Sequence, residues 1–288
     1  MLKKSVVIAV VLFTAIASDL SLLALFPHET LADELPVYVN LQIDAEGNSM
    51  KGLSAMADEL LARNMRATVY VSGKYANEFS QMISWLSVNG FEIALHGYNT
   101  GEQLATMTFK EQKELLRRAK QAVEGCSPCG TYRSIFGFRP QYFSQNEDTY
   151  RLIDEFGFTY NSGFKAGELF TEGHNGDTYP YKIEGHNFYA VPVTTLTYNG
   201  KNLYICDIAS AQREDLKLTG EKWSEVLNIA FERAVEKKEP LVVLLHDWYT
   251  GDMTGHDYWQ PFVDFLDMAK DRAVFVKTID LVRIVAEK

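Results

Sequence analysis

The chain has 288 residues, 47% apolar and 23% charged, the balance of a globular body with a sizeable core. Its formal charge of −10 argues against gripping nucleic acid or anionic lipid, both of which call for a basic surface. No linker, low-complexity tract or internal repeat divides it, and from about Leu35 it is one domain's worth for an α/β barrel of ~250 residues.

Lys3 and Lys4 precede the uncharged apolar stretch Ser5–Ile16, and Asp19 interrupts before Leu20–Phe26. A basic segment followed by an apolar one reads as a secretory signal within residues 1–32, with cleavage after Ala17 or Ala32. An uncleaved membrane anchor is the alternative, since Ser5–Phe26 is long enough to cross a bilayer. Asp19 near its middle would be costly there. Both readings place the body outside the cytoplasm, secreted or anchored.

Val37–Ile43 is rich in β-branched residues and predicts a buried strand, followed by a helix over Ser49–Arg63 with Leu53, Met56, Ala57, Leu60 and Leu61 at helical spacing. A strand at Ala67–Val71, a helix at Tyr75–Val88 and a strand at Phe91–Leu95 come next. Thr108-Phe-Lys-Glu111 is a capping box that opens a helix running to Val123. Phe136–Arg139, Asn146–Phe156 and Thr159–Ser162 read as strand, helix, strand. The pattern dissolves over 163–187. Phe188–Thr195 and Leu203–Ile208 read as strands, Trp223–Lys237 as a helix and Leu241–Leu245 as a continuous apolar strand. Alternating strands and helices with apolar strands predict a parallel sheet covered on both faces, and about seven or eight such units suit a barrel.

Cys126-Ser-Pro-Cys129 could close a small disulfide loop in an exported protein, leaving Cys206 free or buried. A zinc knuckle would need two further ligands at matching spacing, and none is present.

Four short motifs sit where apolar runs end, the face on which α/β barrels carry their chemistry. Asp44-Ala-Glu46 places two carboxylates at i and i+2, on one side of a strand. Paired acids can serve as metal ligand and general base; taken alone, the pair is equally a polar strand exit. His96-Gly-Tyr-Asn-Thr100 ends the third strand. A lone histidine is more often structural than ligating, but this one follows a buried strand. Arg139-Pro-Gln-Tyr142 holds an arginine that needs a carboxylate if buried, and Asp44 is the expected partner. Leu245-His246-Asp247 ends the last apolar strand, where an imidazole titrating near neutrality suits proton transfer. Aromatic residues cluster nearby: Trp248, Tyr249, Tyr258 and Trp259 on one loop, Tyr142 and Phe143 on another, a composition able to stack on sugar rings.

In order and spacing this set resembles the polysaccharide deacetylase family, the NodB-homology domain of carbohydrate esterase family 4, over roughly residues 36 to 285. The resemblance implies a distorted (β/α) barrel of about seven strands, with residues 36–288 as the catalytic domain. It implies a metal-dependent hydrolase that removes N-acetyl or O-acetyl groups from an extracytoplasmic glycan. Asp44 would be the base, His246 the acid toward the departing amine, and Arg139 the group that orients Asp44. Glu46 and His96, with Asp44 as an exchangeable choice, would hold a divalent metal, expected to be zinc. Tyr142, Leu245 and Trp248 would contact substrate. The family pattern is His-x-x-x-His, and here Thr100 stands where the second histidine belongs, leaving the metal site incomplete unless His174, His186, His256 or Asn99 completes it. A binder of glycan without catalysis, or a hydrolase of a different amide or ester with residues 163–187 reshaping the pocket, are the alternatives.

Overall fold

A computed structural model describes residues 36–126 and 135–287. The signal or anchor within 1–32, and Cys129 with its pairing to Cys126, lie outside the described residues. The Cys126 thiol is buried, its Sγ 3.3 Å from the Ala76 carbonyl. Among the described residues no helix is long and apolar enough to cross a membrane.

The elements run β1 (Val37–Ala45), α1 (Lys51–Ala62), β2 (Thr68–Val71), α2 (Gly73–Glu78), α3 (Ser80–Val88), β3 (Glu92–Leu95), α4 (Phe109–Glu124), β4 (Gly137–Phe138), α5 (Glu147–Glu155) and β5 (Tyr160–Lys165). They continue through β6 (Tyr181–Lys182), β7 (Tyr189–Val193), β8 (Thr195–Tyr198), β9 (Lys201–Tyr204), α6 (Asp207–Gln212), α7 (Gly220–Lys237), β10 (Leu241–His246), α8 (Trp259–Ala269), β11 (Ala273–Phe275) and α9 (Thr278–Ala286).

The main sheet has the order β10-β1-β2-β3-β4-β5-β7-β6, with β11 pairing β1. Its pairs are parallel except β6 on β7. The sheet curls into the distorted barrel expected, its parallel path made of β10, β1, β2, β3, β4, β5 and β7. Backbone bonds complete the turn: the Thr194 amide donates to the Val242 carbonyl (3.2 Å) and the Leu244 amide to the Ile205 carbonyl (2.9 Å).

Side chains alternate across β1. Leu41, Ile43 and Ala45 join the apolar layer shared with the helices, while the buried Asn40, Gln42 and Asp44 belong to a polar interior. There Gln42 Nε2 donates to Asn40 Oδ1 at 2.8 Å, and the Thr68 and Tyr160 hydroxyls donate to the Glu92 carboxyl at 2.9 and 2.8 Å. The start of α9 adds the Ile279 amide, 2.9 Å from the same carboxyl. Each bond offsets part of the cost of removing a polar group from water, and together they fill the barrel floor beneath the site.

Side-chain caps mark several helix starts. The Thr108–Glu111 capping box forms as read, and Asn146 caps α5 through Thr149. Two expectations fail. The helix expected over Tyr75–Val88 is two helices, because Phe79 leaves helical geometry (φ −119°, ψ 38°). The strand expected over Leu203–Ile208 ends at Tyr204, and Asp207 opens α6.

Candidate active site

Four strand ends deliver the predicted residues to one cleft of about 560 Å³, a volume usual for small-molecule sites. Asp44, Glu46, His96, Arg139, His246 and Trp248 all line it. Asp44 on β1 is the register partner of His246 on β10, so the parallel ladder itself sets the two side by side.

Asp44 is the centre of the arrangement. Its Oδ1 accepts from Nη2 of Arg139, and both side chains are almost wholly buried. Its Oδ2 lies 3.3 Å from Nε2 of His96 and 3.8 Å from Nε2 of His246. Burial pushes the Asp44 carboxyl upward, but Arg139 and the two imidazoles outweigh it and hold it below the usual carboxylate range. Arg139 donates its other terminal nitrogen to Gln42 Oε1 at 2.5 Å, and its guanidinium lies over the Tyr70 ring, 3.9 Å from the centroid. That fork leaves Asp44 one oxygen for chemistry.

His96 Nδ1 is 2.9 Å from the Arg139 carbonyl, which fixes the proton on Nδ1. Nε2 then turns its lone pair toward Asp44 Oδ2 at 3.3 Å and Glu46 Oε2 at 3.8 Å. Two carboxylates and an imidazole nitrogen converging with no donor of their own between them are a donor set that fits a divalent cation with open positions.

Thr100 does not complete the set. Its Oγ1 donates to the Glu46 carbonyl at 3.2 Å. His174 pairs with Asp177, His186 with Asp154, His256 stacks on Tyr249, and the Asn99 side chain donates to Glu102. None of these four lines the cleft.

The loop between His96 and Glu102 is instead held by side chains. Gln141 Nε2 donates to the carbonyls of His96 (2.8 Å) and Asn99, and its Oε1 accepts from the amides of Gly101 (2.6 Å) and Glu102 (3.1 Å). Glu102 accepts from the amides of Tyr98 and Asn99, each at 2.8 Å. Next to Gln141, Tyr142 and Phe143 both adopt left-handed backbone (φ 54° and 56°), a conformation that costs a non-glycine residue on the order of 1–3 kcal/mol.

Asp207 is the functional residue that sequence reasoning missed. Its Oδ1 faces His246 Nδ1 at 2.7 Å and also accepts from the Ile208 amide. Its Oδ2 accepts from the His246 amide (2.8 Å) and the Thr250 hydroxyl (2.7 Å). Burial alone would lower the His246 pKa, but Asp207, Asp44 and Glu46 carry it up to about 9. His246 is therefore an imidazolium at neutral pH, with Nε2–H turned to the cleft. An acid inside the apolar run Tyr204-Ile-Cys-Asp-Ile208 was the available signal.

Cys206, Asp207 and His246 also bring three potential ligand atoms within 4.8 Å of one another. Both Asp207 oxygens are already committed as acceptors, and burial raises the Cys206 thiol well above its ordinary value. We read this trio as support for His246.

Leu245 is a correction. Period-two alternation puts Leu244 beside His246 on the cleft side and sends Leu245 into the core. Tyr142 and Trp248 stay partly exposed at the rim, and Phe143 lines the cleft. Tyr249 and Tyr258 are buried, Tyr258 stacking on Trp223, and neither they nor Trp259 line the cleft. Of residues 163–187, Lys165 lines it.

Gly47 allows the Glu46 turn to lie against the His246 turn, since a Cβ there would sit 2.9 Å from the Trp248 Cβ. The same approach lets Asp247 Oδ1 accept from the Glu46 and Gly47 amides at 3.3 and 3.2 Å.

Residues 44–161 match the family model described as polysaccharide deacetylase. No curated protein matches. Among solved structures, a Mycobacterium smegmatis protein assigned as a polysaccharide deacetylase is 18% identical, covering 89% of this chain and 92% of that one, with a TM-score of 0.68. The allantoinase Puue is 15% identical, covering 90% and 93%, with a TM-score of 0.70. A family 4 carbohydrate esterase pseudoenzyme from Bacillus anthracis is 13% identical, covering 86% and 66%, with a TM-score of 0.55.

Proposed function

We propose that this chain, a divergent relative of the polysaccharide deacetylases by its residues 44–161 and by its fold, is a metal-dependent hydrolase that removes acetyl groups from an N-acetylated glycan. The observation that carries the reading is the position of Asp44 Oδ2, within 4 Å of both imidazoles while Oδ1 is fixed by Arg139. A base and an acid on opposite sides of one reacting carbon need that arrangement.

Glu46 and His96, with Asp44 beside them, would hold the ion, and the ion when bound would polarise the acetyl carbonyl. Asp44 Oδ2 takes a proton from the attacking water as the water oxygen bonds to the carbonyl carbon. Arg139 keeps Asp44 ionised and fixed in rotation. His246 gives its Nε2 proton to the glycan nitrogen as the carbon–nitrogen bond breaks, releasing acetate and a free amine. Asp207 holds His246 charged and aimed.

Trp248 and Tyr142 would flank the sugar at the rim, and the apolar segment near the N-terminus supports action on an extracytoplasmic glycan. Zinc is the expected metal, although a carboxylate with a single imidazole also suits harder divalent ions.

Thr100 favours a second reading, a glycan binder that has lost its metal, and similarity to a family pseudoenzyme is consistent with it. Metal analysis joined to acetate release from chito-oligosaccharides separates the two. Stoichiometric metal with acetate release supports the hydrolase. A metal-free protein that binds these sugars supports the binder, and bound metal without acetate from any N-acetyl glycan points to another amide, as the allantoinase-like fold would allow.

A further inference from the structure

Three lysine and arginine side chains line the cleft, and two of them donate close hydrogen bonds. Arg139 is held by Asp44 and Gln42. Arg213 makes two bonds to Asp215, at 3.2 and 3.0 Å, and a third to the Asn202 carbonyl at 2.5 Å. Lys165, at the end of β5, differs from both. Its ammonium donates no hydrogen bond among the described residues, and its ion pair with Glu168 is long, at 4.0 Å.

Aromatic rings hold this ammonium. Nζ lies 4.6 Å from the Phe143 ring centroid and 4.1 Å from that of Tyr204, and the two rings meet edge to face at 5.5 Å. Phe143, whose backbone is left-handed, supplies one ring of this cage. Ring faces attract a cation but satisfy none of its N–H donors. The Lys165 side chain is 20% exposed, and desolvation lowers its pKa, so the charge sits partly out of water with donors to offer.

We propose that Lys165 is a specificity-determining residue that binds a carboxylate on the glycan. The substrate is then an N-acetylated sugar that bears, or adjoins, an acidic group. This rests on the hydrolase reading for what happens to the acetyl group, but not for the binding itself. A single loosely paired ammonium suits a single negative charge, and the acids Asp44 and Glu46 in the same cleft, within a chain of net charge −10, oppose a dianion such as a phosphate monoester. A charge-assisted bond made where water is thin discriminates strongly between a carboxylate and a neutral hydroxymethyl group.

The test is equilibrium binding by calorimetry to three oligosaccharides: an N-acetyl chito-oligosaccharide, the same chain carboxylated at C6, and one bearing a lactyl ether at O3. The wild-type protein should prefer one carboxylated ligand about tenfold or more, and the two acidic ligands tell a uronate from a lactyl group. In Lys165→Met, which keeps the stem over the rings, the ratio of acidic to neutral affinity should fall toward one. Glu168→Gln, which removes the nearest competing carboxylate, should raise that ratio, and it serves as the deciding variant if Lys165→Met does not fold. A wild-type protein that binds neither acidic ligand better than the neutral one, or a preference that survives in Lys165→Met, overturns the proposal. Acetate release is measured separately. Its absence with the affinity ratio intact would defeat the hydrolase reading and leave this one standing.

Discussion

Arg139 and Asp44 form a buried ion pair in which the arginine also anchors His96, through its own carbonyl. One residue thus fixes the base by its side chain and the metal-facing tautomer by its backbone. The backbone bond survives substitution, whereas the fork does not.

Replacing Arg139 with methionine should therefore destabilise the fold by about 3–5 kcal/mol, because Asp44 is left as an uncompensated buried charge. Arg139→Lys keeps the charge but cannot reach Asp44 and Gln42 together, and should lose most activity with a smaller stability loss. Urea titrations and acetate release measured in parallel check the split. Equal stability losses in both variants would show that the retained charge contributes nothing, against the split expected here.

The pH profile should have its basic limb near 9, where His246 loses its proton, and its acid limb below the ordinary carboxylate range, where Asp44 gains one. Asp207→Asn removes the main carboxylate partner and should move the basic limb down by at least one unit. A limb that stays in place would assign that titration to another group.

Stability has matching signs. His246 is raised from 6.5 to about 9 by folding, so its contribution is complete below about 6.5 and disappears as pH climbs through about 9. Asp44 is lowered, so its contribution holds above the unfolded carboxylate value and is lost as pH falls through the folded one. Denaturant midpoints measured at pH 6 and pH 9.5 should fall at the higher pH in the wild type and fall less in His246→Gln. A midpoint that does not move would refute the shift.

Thr100 lies beside the Glu46 carbonyl, so histidine placed there begins close to the metal-facing group. Thr100→His should tighten zinc binding roughly tenfold or more, as expected when an imidazole is added to an incomplete donor set. Competition with a chelator of known affinity measures it, and unchanged affinity would mean that position 100 faces away from the ion.

Gln141→Ala removes four bonds from the His96–Glu102 loop. Destabilisation of about 2–4 kcal/mol is expected, since buried amides and carbonyls lose their partners. Hydrogen exchange over 97–101 should rise more than in the strands. Uniform acceleration throughout the chain would instead indicate global loosening.

The barrel and most of the residues that meet in its cleft were legible because strand ends are marked twice, by apolar runs and by the polar residues that follow them. Asp44, Glu46, His96, Arg139 and His246 could all be located this way, and the alternation of β1 foretold that two carboxylates two apart would share a face. Leu245 was misassigned for want of the same rule, since a residue one step from His246 must face the other way. Asp207 and Lys165 were hidden for a different reason. Their importance comes from distant partners, a histidine on β10 in one case and two rings from separate segments in the other. No local pattern encodes such partners. Gln141 lies inside the Arg139–Tyr142 motif, but its four bonds exist only because the 97–101 loop folds back over it.

Asp44 and His246 are neighbours across a parallel ladder, and the spacing between adjacent strands, about 4.8 Å, fixes how far apart their backbones can be. The surrounding loops are free to lengthen, lose a ligand or acquire a charged contact without altering that gap. Variation in this scaffold can therefore change what is held in the cleft far more readily than it can change the distance over which a proton must travel.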